Sequence, residues 1–316
     1  MGKARKGLPK QIYVLIAAAL ILGFLLRQVN RQTAPVEQSL LEAELIMGIP
    51  SIPNLSGWPS EMIQELKRLH DDLESRENQI QALGRLGEFY FINGFMGQAR
   101  QSFEVLRRLE PEETRWPYLL GLASRDFQDK STAIEAFLAS LALDADYANG
   151  RFFLGEAYLE GGRLQESAMV FESLLEDPEW EGWARFGLAK GLMYEERYRG
   201  ALNEIEQAVA KEPDVRDFHA LAAELARLLG EPERAAIALR AYRALGYDRL
   251  PFDPRVQSLG ALCYDPFRLV QLARGQELEG NLELALALLE RALQIDSESE
   301  LAREAVYSLR DRLSSR

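Results

Sequence analysis

The chain has 316 residues, 47% hydrophobic and 27% charged, with a net charge of −12, which excludes wholesale disorder and a many-spanning membrane protein. One cysteine, Cys263, and two distant histidines, His70 and His219, exclude an intramolecular disulfide framework and multi-cysteine zinc or iron-sulfur centres. Of 37 basic and 49 acidic residues, six bases and no acid fall before residue 32, so the remainder is strongly acidic, repels a phosphate backbone and is expected to have no nucleic-acid partner.

The first ten residues form a basic tail, with Lys3, Arg5, Lys6 and Lys10. From Gln11 to Leu26 the chain is uncharged and mostly apolar, enough for a helix of roughly 24 Å against a hydrocarbon core of roughly 30 Å. Lys10 and Arg27 can snorkel to the two interfaces and close that gap. Residues 11–29 are therefore expected to be a transmembrane signal anchor. A cleaved signal peptide is the rival reading, but a cut after Ala34 would place Gln32 at −3 and Pro35 at +1, a poor site. The basic excess before the apolar run keeps the tail in the cytoplasm. Expected localisation is thus single-pass in the inner (plasma) membrane, with the acidic bulk periplasmic or otherwise extracytoplasmic.

Residues 30–58, with Pro35, Pro50 and Pro53, read as a linker. Within residues 59–79, Met62, Leu66, Leu69 and Leu73 recur at three and four residues, the stripe of an amphipathic packing helix.

From residue 80 to 249 the chain repeats itself. Gly87, Gly121, Gly155, Ala189 and Ala223 stand 34 residues apart, as do the small residues Ala99, Ala133, Ser167, Ala201 and Ala235. Four residues after each of the latter come Phe103, Phe137, Phe171, Ile205 and Leu239. A small residue lets two helix backbones approach, and the larger one fills the space beside them.

These columns resemble the tetratricopeptide repeat, most closely at Leu86-Gly87, Tyr90, Gly94, Ala99, Phe103 and Pro111, and at Leu154-Gly155, Tyr158, Gly162 and Phe171. The resemblance implies an all-α, right-handed solenoid of about six helix pairs. Gln128 and Glu196 depart from the family pattern, standing where a turn glycine is usual. Residues 250–265, with Pro251 and Pro254, form an insert that shifts the register, with a short helix expected from Arg255 to Leu262. The pattern resumes over 266–299 with Leu272-Ala273, Gly280, Ala285 and Leu289, and residues 300–316 make an apolar-faced capping helix.

Catalysis leaves signatures that this sequence lacks: there is no phosphate-binding glycine loop, no His-Glu-x-x-His and no nucleophile elbow. No enzymatic activity, catalytic residue, metal or small-molecule cofactor is expected. Cys263 reads as a small buried hydrophobe, and His70 and His219 as structural residues.

What remains is a surface. The family resemblance implies that four positions of each first helix face a concave groove, which selects Phe91, Tyr118, Arg125, Phe152, Glu156, Trp183, Phe186 and Lys190 as partner-binding candidates, with Glu224 and Arg227 toward the end. Aromatic groups supply affinity for a peptide and nearby charges set its orientation. The rival reading of Tyr118, Phe152 and Phe186 is that they cover the seam between helices. Gly84 and Glu88 stand where Lys and Asn would be expected for gripping a terminal carboxylate, so binding of chaperone tails is not expected. The expected function is a membrane-anchored scaffold for a protein or peptide partner. The alternatives are an assembly factor for periplasmic or envelope enzymes, as in cytochrome c maturation, and a rigid non-catalytic subunit of an enzyme complex.

Overall fold

The computed structural model describes residues 43, 45, 46, 48–74, 78–245 and 249–314. The expected tail, the anchor at 11–29 and most of the linker up to residue 47 lie outside the described residues. Among those described, no helix is long and apolar enough to cross a membrane. The chain divides into residues 1–47 and residues 48–316, and every helix from Ser60 onward belongs to the second unit.

Helix α1, Ser60–Glu74, turns Met62, Leu66, Leu69 and Leu73 inward, as their spacing requires. Five helix pairs follow: α2 (Gln79–Ile92) with α3 (Met96–Leu109), α4 (Arg115–Asp126) with α5 (Lys130–Leu143), and α6 (Ala148–Glu160) with α7 (Leu164–Glu172). The fourth and fifth pairs are α8 (Glu181–Tyr194) with α9 (Tyr198–Lys211) and α10 (Arg216–Leu228) with α11 (Pro232–Ala244). From α1 to α11, each helix packs on the next in the chain.

The repeated columns are complementary in volume. A Cβ at Gly87 would lie 2.9 Å from the Phe103 ring, at Gly121 2.6 Å from Phe137 and at Gly155 2.7 Å from Phe171. Where the partner shrinks to Ile205 or Leu239, the glycine is replaced by Ala189 or Ala223. One methyl group on the first helix is thus exchanged for ring volume on the second, and the interior stays filled.

The turns inside the pairs need a left-handed residue. Gly94, Gly162, Gly230 and Gly280 supply it with φ of 85°, 73°, 71° and 78°, while Gln128 and Glu196 adopt the same conformation at φ 59° despite their side chains.

After α11 the path departs from a single file of six pairs. The insert forms α12 (Pro254–Gln257) and a 3-10 turn (Gly260–Leu262) instead of one helix from Arg255 to Leu262. The sixth pair, α13 (Pro266–Leu278) with α14 (Leu282–Ile295), packs on α12 and on the final helix α15 (Glu300–Ser314), and does not stack on α11. Ala302, Val306 and Leu309 of α15 are buried, and the helix packs on both helices of the sixth pair. The physical reason for the departure is that the insert binds the first three pairs: its 3-10 turn packs on α2, and its polar groups find partners there.

Candidate functional site

The insert packs against the first helices of the first three pairs and the turns at their ends. Asp253 caps α12 by accepting from the backbone N–H groups of Arg255 at 3.0 Å and Val256 at 3.2 Å. The same carboxylate accepts from the hydroxyls of Tyr118 and, at 2.9 Å, Tyr147. Asn149 Nδ2 donates to the Phe252 carbonyl at 2.8 Å. The Arg255 guanidinium lies 3.7 Å over the Tyr147 ring and pairs with Asp144 at 3.0 Å. Further along, the Asn93 amide donates to the Leu262 carbonyl at 2.8 Å and accepts from the Tyr264 N–H at 2.6 Å, so one side chain satisfies two backbone groups of the insert.

Burial dominates the electrostatics of this contact. It pushes the Tyr118 and Tyr147 hydroxyls far up, so both remain protonated donors, and it raises the Asp253 carboxyl against the opposing pull of its four hydrogen bonds. Cys263, fully buried with Sγ 3.7 Å from the Ile92 carbonyl, has its thiol pushed up to about 11, chiefly by burial. It is an inert packing group.

The aromatic candidates do not form one open row. Tyr118 is buried under the insert, its ring 5.0 Å from that of Tyr147. Phe152 is buried between the third and fourth pairs, 5.6 Å from Trp180 and 5.8 Å from Trp183. Trp183 is buried in turn against Phe218 at 5.0 Å, and Phe91 packs on Phe103 of its own pair at 6.2 Å. Phe186 alone of these five is half-buried, 4.9 Å from Phe218.

The charged candidates are brought together. Lys190 Nζ lies 2.6 and 2.8 Å from the two oxygens of Glu156 and 4.9 Å over the Phe186 ring. Arg125 reaches Glu156 at 3.8 Å and Glu160 at 2.6 Å. This ladder crosses the second, third and fourth pairs because positions 156 and 190 are one repeat apart. The next place in the same column, Glu224, is exposed and has no ion pair among the described residues. His70 Nε2 lies 2.9 Å from the Tyr90 hydroxyl and His219 Nε2 2.8 Å from the Pro213 carbonyl. Among the described residues no group of three or more His, Cys, Asp or Glu could hold a metal ion.

Asn93, Tyr147, Asn149, Asp253 and Arg255 were not singled out by the sequence. Asp253-Pro254 carries a helix-start signature, but nothing local reveals that its carboxylate meets two tyrosines more than a hundred residues away.

Residues 118–179 and 186–254 match the tetratricopeptide repeat family model. These segments are tetratricopeptide repeats, and the stack they form is a tetratricopeptide solenoid, a fold that generally serves as a scaffold for interactions between proteins. No protein of curated function matches the chain. A tetratricopeptide repeat protein from Parabacteroides merdae superposes with a TM-score of 0.53 at 13% identity, covering 79% of this chain and 92% of that one. MamA from Desulfovibrio magneticus RS-1 gives a TM-score of 0.43 at 14% identity, over 59% of this chain and 96% of that one. A thermophilic tetratricopeptide protein of Thermus thermophilus gives 0.39 at 20% identity, over 62% and 98%. The likeness of fold rests on the first.

Proposed function

We propose that the chain is a membrane-anchored scaffold whose residues 11–29 span the inner membrane and whose solenoid binds a segment of a partner protein at the membrane's outer face. The observation that carries this reading is Lys190, ion-paired to the buried Glu156 of the third pair, with the exposed Glu224 one repeat further on and the half-buried Phe186 beside it, on the fourth and fifth pairs that the insert leaves uncovered. Alternating charges fix the register of a bound segment, and Phe186 supplies an aromatic contact. The anchor confines the scaffold to a thin layer and raises its effective concentration for partners at the same membrane.

A photo-crosslinking residue at Met193 in the full-length chain should capture a distinct partner in membranes, and the variants Phe186→Ala and Lys190→Glu should lose it. Equal capture by all three would overturn the reading. An extracytoplasmic reporter fused after Arg316 should be active, and a chain released from membranes by high salt would remove the anchor. A second reading, a rigid non-catalytic subunit, is favoured by the insert's closure of the first three pairs, and it predicts no capture at Met193.

A further inference from the structure

We infer that the exposed end of the fifth pair is a second docking surface, separate from the concave groove, and that it accepts an acidic amphipathic helix of a partner protein. Phe103, Phe137, Phe171 and Ile205 are 0% exposed in the first four pairs, and Leu239 in the same column is 38% exposed. Helix α11 buries no residue fully, because it packs on α10 and the sixth pair does not continue the stack. The opposite end is finished by α1, and the sixth pair is finished by α15.

Charge identifies the occupant. In the fourth pair, Glu206 meets Arg234 of the following pair at 3.3 Å. One repeat later that position is Arg240, so the complement from whatever stacks next is a carboxylate. Arg243 is also exposed, and neither of these two arginines has an ion-pair partner among the described residues. Of the acids at the start of α11, Glu231 is engaged by Arg199 at 3.6 Å and Arg234 at 3.3 Å, while Glu233 stands exposed. A helix with apolar residues three and four apart would seat on Leu239, and glutamates beside that stripe would reach the arginines.

The test is fluorescence anisotropy of the full-length chain with two synthetic helical peptides, one with a leucine stripe flanked by glutamates and one with lysines in their place. The glutamate peptide should bind, more weakly at high salt, and the lysine peptide should not. Leu239→Asp should weaken binding by at least about tenfold, as loss of a central anchor does. The double variant Arg240→Glu, Arg243→Glu should exchange its preference and take the lysine peptide, a gain that misfolding cannot produce. Equal binding of both peptides, no binding of either, or unchanged binding by Leu239→Asp would overturn the inference. Self-association abolished by Leu239→Asp in sedimentation would overturn it too, by assigning the face to a second copy.

Discussion

Tyr118 and Phe186 occupy the same repeat position two units apart, yet the first is sealed beneath the insert and the second is half-open beside Lys190. The backbone pairs that present them are built from the same columns. What differs is the cover: residues 250–265 pack on the first three pairs, whereas α8, which carries Phe186, packs chiefly on the helices of its own and the preceding pair. In a solenoid each repeat contacts few others, so a segment that folds back can change the role of some repeats and leave the rest as they were.

The largest effect that separates the two regions is expected at the aromatic positions. Phe152→Ala should cost about 3–5 kcal/mol, the usual loss for truncating a buried phenylalanine. Phe186→Ala, at a half-buried site, should cost about 1–2 kcal/mol, in proportion to the smaller area it covers. Urea unfolding followed by circular dichroism compares them directly. Equal losses would mean that Phe186 is as much a part of the helix seam as Phe152, and the open groove would lose its aromatic residue.

Next in size is the latch of the insert. Asp253→Ala leaves the Tyr118 and Tyr147 hydroxyls without an acceptor and uncaps α12, at a cost of about 2–3 kcal/mol. Limited proteolysis should then cut within 250–265 before it cuts the stacked pairs. The pH dependence has a definite sign. Burial raises the Asp253 carboxyl in the fold, against hydrogen bonds from Tyr118, Val256, Tyr147 and Arg255. A carboxyl whose folded pKa exceeds its unfolded pKa binds its proton more tightly when folded. Its contribution is therefore fullest below the ordinary aspartate range and declines as pH rises through that range to the raised folded value. The stability difference between the wild type and Asp253→Asn should accordingly shrink from about pH 3 to pH 7. A difference that widens with pH would show that the four donors outweigh the burial.

The stacked pairs were legible in the sequence because each repeat must match its neighbour: a small residue opposite a large one every 34 positions leaves a periodic trace. The same register marked Arg125, Glu156 and Lys190 as residues of the first helices, but not that they pair with one another. The fold-back was not. Asn93, Tyr118, Tyr147 and Asn149 meet the insert across more than a hundred residues of chain, and from the insert's side the local pattern reads only as bends and a helix start. Nor could the sequence distinguish the buried Phe152 from the half-open Phe186, since a residue facing a groove and one covering a helix seam share a column and a chemistry.

The smallest effect sharpens the comparison from a place where the two regions should agree. Gln128 closes the turn of the second pair, in the covered part of the stack, and Glu196 closes that of the fourth, in the open part, both at φ 59°. A left-handed conformation costs a residue with a side chain roughly 1–2 kcal/mol, and glycine avoids that strain while losing more backbone entropy on folding. Gln128→Gly and Glu196→Gly should therefore each stabilise the protein by about 0.5–1 kcal/mol, whereas Gly162→Ala should destabilise it by a similar amount. Among the described residues neither turn hydrogen-bonds to the insert, so the two gains should be equal and should survive Asp253→Ala unchanged. A Gln128→Gly gain that vanished in the Asp253→Ala background would couple that turn to the insert, and the covered region would then be one cooperative body with its cover rather than a stack with a segment laid upon it.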